Sequence, residues 1–325
     1  MVANDGTGAR GRRLVFMGSP GFALPCLQAL LEDGWDVPLV LSQPDRPAGR
    51  GRGSRPTEIS AFARERGLAL ETPVDLEDPG LHERLKAVDA PWFVVVAYRL
   101  LPASVLALPG RGAVNLHASL LPDFRGAAPI QRAIMAGCSR SGLSTFLLSP
   151  GVDTGPLLMQ KEIEIGPDET GGQLHDRMMH AGAQLLRATM DGLDAGTLAG
   201  QPQAQRDGLR RAPKLGPRTR RLDFSRPVQS LHDRIRALAP APGAQCQFRG
   251  RRLQILATRR TDETVPQGCL PGELVLLANG GLAIVCGDGL LECLLLKPEG
   301  KGPQEASAWL NGARPLPGER LLPVE

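Results

Sequence analysis

The feature that most constrains this chain is an alternation running from Arg13 to Leu193, in which short apolar runs of strand length take turns with stretches of helical period. Arg13 to Met17 is apolar and ends at Gly18, with a helical stretch near Gly21 to Glu32 behind it. Val37 to Leu41 is β-branched and apolar, and Thr57 is placed to cap a helix through Arg66. Leu68 to Glu71 reads as a strand and Leu81 to Val88 as a helix. Trp92 to Tyr98 is apolar throughout, as a strand buried on both faces requires. Gly112 to Ala118 and Leu143 to Leu148 repeat that pattern around a helix near Ile130 to Ala136, and a long helix is expected from Thr170 to Leu193. This order predicts an α/β fold, a Rossmann-like and mostly parallel sheet with helices on both faces.

After Gly196 the texture changes. A polar Gly/Gln/Pro stretch leads into short segments, among them Gln245–Phe248, Leu253–Ala257, Leu282–Cys286 and Gly289–Leu296, separated by Gly, Pro and Asp turns. Closely spaced short strands predict a smaller, OB-like β-barrel. The expected organisation is residues 1–195 as the first domain, 196–213 as linker and 214–325 as the barrel. A chain of 325 residues with 42% hydrophobic side chains supplies two such cores. No apolar run approaches the about eighteen residues that cross a bilayer, and the polar, glycine-rich start reads as a loose tail rather than a secretory signal. Six scattered cysteines without a Cys-x-x-Cys pair indicate reduced thiols, a cytoplasmic setting and no metal site. No apolar stripe announces an interface, so a monomer is expected.

Charge is unevenly placed. From Arg206 to Arg260 fifteen Lys/Arg stand against three acids, whereas the residues before 201 hold nineteen basic and twenty-two acidic side chains. A basic segment behind a neutral-to-acidic one fits a polyanion met from one side, and equally an arginine-rich solvated surface.

The chemistry concentrates in Gly112-Ala-Val-Asn115-Leu-His117-Ala-Ser119-Leu-Leu-Pro122. Strand side chains alternate faces, so Asn115 and His117 point the same way. A lone histidine is by default satisfied inside a core. An Asn two residues before it, at the carboxyl end of a central strand where open α/β sheets bind ligands, points instead to a site. Leu143 to Leu148 runs into Ser149-Pro-Gly-Val-Asp153-Thr-Gly155, so Asp153 is expected near the same carboxyl edge. An Asp before Thr-Gly is ordinarily a turn residue; beside an imidazole it fixes the tautomer. The three suit addition–elimination at a carbonyl, with Asn115 and His117 donating to the oxyanion and Asp153 holding His117 and managing protons. The first βα turn reads Gly18-Ser-Pro-Gly21, and neither a Gly-x-Ser-x-Gly elbow nor a P-loop is present, so no nicotinamide or nucleoside triphosphate is expected. The other four histidines lie far apart or off a shared helix face.

Asn115-Leu-His117-Ala-Ser119-Leu-Leu-Pro122-Asp-Phe-Arg125-Gly126-Ala-Ala-Pro129-Ile-Gln131 resembles the signature of the folate-dependent formyltransferases, within them the branch that formylates methionyl-tRNA. Gly151-Val-Asp153-Thr-Gly155, Gly18-Ser-Pro-Gly-Phe22-Ala23 and Gln43-Pro-Asp-Arg46-Pro-Ala-Gly49-Arg50-Gly51 match further segments of that family. The resemblance implies 10-formyltetrahydrofolate as donor, Asn115, His117 and Asp153 as the catalytic trio, and Ser119, Leu120, Leu121 and Pro122 lining the folate pocket. It also implies initiator Met-tRNA as acceptor. The arginine-rich loop from Pro44 to Pro56, with Arg46, Arg50 and Arg52, would enter the acceptor stem, Arg46 foremost, while Lys214 and the basic segment after it grip phosphates. Two departures stand out: Arg99 follows Tyr98 where the family has glycine, and Arg211-Ala-Pro-Lys214 lacks the family's tyrosine and acid while keeping the lysine. The rival acceptor is a sugar-nucleotide amine.

Overall fold

The computed structural model describes residues 12–47 and 54–324, with the backbone alone described at Arg46 and Pro47. The N-terminal tail through residue 11, and Arg50 and Arg52, lie outside the described residues. Contacts divide the chain into two units. The first runs through Gly126 and takes in Gly142–Ile163 and His175–Arg211; the second comprises Ala127–Ser141, Glu164–Leu174 and the chain from Ala212 onward. The stretch expected as a linker therefore belongs, up to Arg211, with the first unit.

The first unit is built on a seven-stranded sheet. Its strands are β1 (Arg13–Gly18), β2 (Asp36–Leu41), β3 (Leu70–Glu71), β4 (Trp92–Val96), β5 (Gly112–His117), β6 (Arg140–Leu147) and β7 (Leu157–Glu164), in the order β3-β2-β1-β4-β5-β6-β7. Neighbours from β3 to β5 are parallel. Both faces of these strands are buried: Val15, Met17, Phe93 and Val95 pack with Leu81 and Val105 on one side, while Leu14, Phe16 and Val94 are fully covered on the other. The helix Glu58–Glu65 begins as expected at Thr57, whose Oγ1 accepts from the Ser60 N–H at 3.0 Å. β6 departs from expectation. It runs antiparallel to β5, with Val114 opposite Leu147 and His117 opposite Ser144. An apolar alternation reads the same in either direction, so the sequence does not disclose a strand's sense; an antiparallel strand beside a parallel set is a common arrangement.

In the second unit the helix Val228–Leu238 falls in the stretch read above only as charge. Its Leu231, Ile235 and Leu238 enter the core against Leu253, Ile255, Leu291 and Leu296. On the same helix Arg236 and Asp233 form a buried ion pair, Nε to Oδ1 at 2.8 Å, and Arg236 Nη1 also donates to the carbonyls of Gly166 and Glu169, each at 3.0 Å. Burial of such a pair is sustained only when every charge finds partners, and these bonds hold the 164–174 segment in this unit. The sheet strands are Ala244–Phe248, Arg251–Arg260, Leu274–Leu276, Leu282–Val285, Leu290–Pro298 and Leu322–Pro323, all antiparallel where paired. Its two edges meet through Leu321 N–H to Gly272 O at 2.7 Å and Leu274 N–H to Glu319 O at 2.9 Å. These bonds and the bridge between Glu273 and Arg320 bring the ends of the curled sheet together as an OB-like half-barrel.

Gly18, at the tip of β1, tests the tightness of this frame. A Cβ there would sit 2.8 Å from Ala23 Cβ and 3.0 Å from the Val96 carbonyl, whereas one at Gly21 would meet only Glu58 Cγ at 3.9 Å. Gly18→Ala is expected to cost about 1–3 kcal/mol, read as a lower denaturation midpoint; Gly21→Ala should leave the midpoint in place.

Candidate active site

Asn115 and His117 close β5, two residues apart and on one face, as strand geometry requires. His117 is buried, and its Nε2 lies 2.9 Å from the carbonyl oxygen of Phe124. A carbonyl only accepts, so Nε2 carries the hydrogen and Nδ1 is the nitrogen left to exchange protons. Phe124 is held for this task. Its φ of +59° lies in the left-handed region, its N–H donates to Arg210 O at 2.6 Å, and the Arg210 guanidinium stands 4.7 Å over its ring. A left-handed phenylalanine costs about 1–3 kcal/mol, which surrounding contacts must offset.

Asp153 reaches the same place by another route than expected. Because β6 is antiparallel, its last residue, Leu147, lies level with Val114 and away from the carboxyl end of β5. The loop from Leu148 returns toward His117 and sets Asp153 Oδ2 3.7 Å from Nδ1. The same Oδ2 accepts from the Gly126 N–H at 2.8 Å. The carboxylate thus faces Nδ1 while a main-chain donor holds it in place. The return demands unusual backbone: Asp153 has φ +54°, and a Cβ on Gly155 would come within 1.7 Å of the Leu147 carbonyl oxygen, so only glycine fits there.

Asn115 and Asp153 both border a cavity of about 150 Å³ whose other walls are Val95, Tyr98–Leu101, Ala103, Leu106 and Leu148–Val152. Its lining mixes aliphatic side chains with the polar groups of Tyr98, Arg99, Ser149, Asn115 and Asp153, so a ligand there meets both apolar surface and hydrogen-bonding groups. Arg99, the departure noted above, ties this wall down: its terminal nitrogens donate to the carbonyls of Val74, at 2.7 Å, and Pro73, at 2.5 Å. Burial raises the Tyr98 phenol above its ordinary value, against a smaller lowering by Arg99, and the ring stays neutral.

Ser119, Leu120, Leu121 and Pro122 are not among that cavity's walls. Ser119 is fully buried and donates to Asp123 O at 2.6 Å. Ser144 fastens the segment from below: its Oγ donates to Ser119 O at 2.7 Å and accepts from Leu121 N–H at 3.0 Å and from Gln160 Nε2 at 2.8 Å. Ser144, Gln160 and the Phe124 carbonyl were not singled out from sequence. A serine within a buried strand is a legible signal; a main-chain carbonyl leaves none.

Of the residues expected to meet a nucleic acid, Arg46 is described by its backbone alone, and Arg50 and Arg52 lie outside the described residues. The backbones of Arg46–Pro47 and Ser54–Arg55 pair as a two-stranded antiparallel ribbon at the base of the arginine-rich loop. Lys214 is exposed in the second unit, and its carbonyl accepts from Arg132 Nη2 at 3.5 Å. Among the described residues, no cluster of His, Cys, Asp and Glu is arranged to hold a metal ion, and no helix is long and apolar enough to cross a membrane.

Comparison with known proteins agrees with this geometry. A family model described as formyl transferase matches residues 12–190, and one described as formyl transferase, C-terminal domain, matches residues 214–314. The methionyl-tRNA formyltransferase of Methylobacterium nodulans is 42% identical over 314 residues, covering 95% of this chain and 99% of its own. That of Xanthomonas axonopodis pv. citri is 43% identical over 310 residues, covering 95% and 100%. Among solved structures, the N-formyltransferase from Helicobacter canadensis, in complex with folinic acid and dTDP-3-aminofucose, aligns with a TM-score of 0.67 over 86% of this chain and 98% of that one. Its identity is 16%, so this likeness concerns the fold alone. The chain belongs to the formyltransferase family, in both of that family's domains.

Proposed function

We propose that this chain transfers the formyl group of 10-formyltetrahydrofolate to the amino group of methionine on initiator tRNA, acting as a cytoplasmic monomer. One observation carries the chemistry: a buried imidazole with one nitrogen fixed by a carbonyl and the other beside a carboxylate, next to an amide that floors a cavity. The mixture of aliphatic and hydrogen-bonding side chains around that cavity suits the faces and the polar edge of a pterin ring. Ser119 to Pro122, continuing the strand that bears Asn115 and His117, would border the rest of the folate.

The reaction forms a bond from the acceptor amine to the formyl carbon and breaks the bond from that carbon to the folate nitrogen. One proton leaves the amine and one reaches the departing nitrogen. Asn115 donates its carboxamide N–H to the formyl oxygen as that oxygen gains charge, and a donor already in place needs no reorganisation at that moment. His117 has Nε2–H engaged with Phe124, so it donates to the same oxygen through Nδ1, which requires the doubly protonated ring. Asp153 compensates that charge and, bordering the cavity, takes part in moving the proton between the two nitrogens.

The tRNA reading rests on relatives that match this chain end to end, all named for methionyl-tRNA. It rests as well on charge. Arg46 stands in the ribbon at the base of the loop, with Arg50 and Arg52 further along it. In the barrel unit Arg251, Arg252 and Lys301 border a groove of about 350 Å³ that also contains Trp309. Arg249, at the same groove, is paired with Glu319 at 2.6 Å and has less charge to offer a phosphate.

Formyl transfer to charged initiator tRNA, measured beside elongator Met-tRNA and a sugar-nucleotide amine, should favour the initiator; a preference for the sugar amine would replace this reading. Asn115→Ala and His117→Ala should each lower kcat by roughly 10²-fold or more, at an unchanged melting midpoint. Arg46→Ala is expected to raise KM for Met-tRNA while folate affinity holds, and equal loss of both would remove the loop from the interface.

A further inference from the structure

We propose that Gln203 is the positioning residue that sets the distance between Asp153 and His117; this rests on the catalytic reading of Asp153 given above. The carboxylate arrives on a loop that must double back from the end of β6, with a left-handed Asp153 and with Gly155 pressed onto a backbone carbonyl. Such a loop does not hold its shape without external bonds.

Gln203 supplies them. Its Nε2 donates one hydrogen to Asp153 O at 2.9 Å and the other to Gly155 O at 2.8 Å. Its Oε1 accepts from Nε of Arg125 at 3.2 Å and from Nη2 of the same guanidinium at 2.5 Å. The amide is saturated, and its orientation is dictated: a flip would turn oxygen toward two carbonyls and N–H toward a guanidinium. The residue after Arg125 is Gly126, whose N–H binds the Asp153 carboxylate. Arg125 and Gly126 therefore hold Asp153 from two directions, through Gln203 at the backbone and directly at the side chain. Breaking the first hold leaves the carboxylate on one hydrogen bond at the end of a strained loop, and its 3.7 Å spacing from Nδ1 is no longer fixed.

The test compares Gln203→Met, which keeps length and loses all four hydrogen bonds, with Gln203→Glu, which keeps the acceptor for Arg125 and loses both donors. Both should lower kcat for formyl transfer by about 10–100-fold, the scale of a small misplacement of a catalytic group. KM for Met-tRNA should stay at its wild-type value. In an Asp153→Asn background, followed by single turnover, Gln203→Met should add no further loss, because its effect passes through the carboxylate. If Gln203→Met fails to fold, Arg125→Lys replaces two bonds to Oε1 by one and should give a smaller loss of kcat alone. Full kcat in both Gln203 variants, or losses that multiply with Asp153→Asn, would overturn the inference while leaving the site reading intact. Full activity of Asp153→Asn would overturn both.

Discussion

The site depends on the direction of one strand. β6 lies antiparallel to β5, which puts His117 opposite Ser144 and carries the end of β6 away from the carboxyl end of β5. Two consequences follow. Ser144 falls beneath the Ser119–Leu121 segment and fixes it by hydrogen bonds to both main-chain groups. The chain beyond β6 must then fold back to deliver Asp153, and the left-handed backbone, the glycine at 155 and the amide of Gln203 all answer that demand. A parallel β6 would have required none of them.

His117 shows how burial and chemistry are reconciled. An imidazole in a core is costly unless both nitrogens have partners. Here one nitrogen is satisfied by a carbonyl from a strained phenylalanine, and the other faces a carboxylate slightly beyond hydrogen-bond length. The first fixes which nitrogen carries the hydrogen, and the second leaves Nδ1 facing Asp153. The two nitrogens of one ring thus have different surroundings, a carbonyl at one and a carboxylate at the other.

Much of the fold was legible because it rests on periodicity. The continuous apolar run at Trp92–Val96 and the capped helix after Thr57 appear where pattern places them. The barrel was legible from the spacing of its turns. The helix Val228–Leu238 was not, since its apolar positions are embedded among arginines and its buried Arg236 looks from sequence like surface charge. Nor was the role of residues 196–211 legible. Their polar composition resembles a tether, yet Gln201 pairs with Leu157 through two main-chain bonds and Gln203 braces the loop that bears Asp153.

The sequence by itself determined which residue types could carry the reaction. Asn115 and His117 share a strand face by the two-residue period of extended chain, and Asp153 follows the next strand closely enough to be expected near the same site. Tertiary structure alone decided how these groups meet. Strand direction is invisible in an alternation, a carbonyl that fixes a tautomer belongs to every residue, and a glutamine fifty positions away in sequence becomes a neighbour only when the chain has folded.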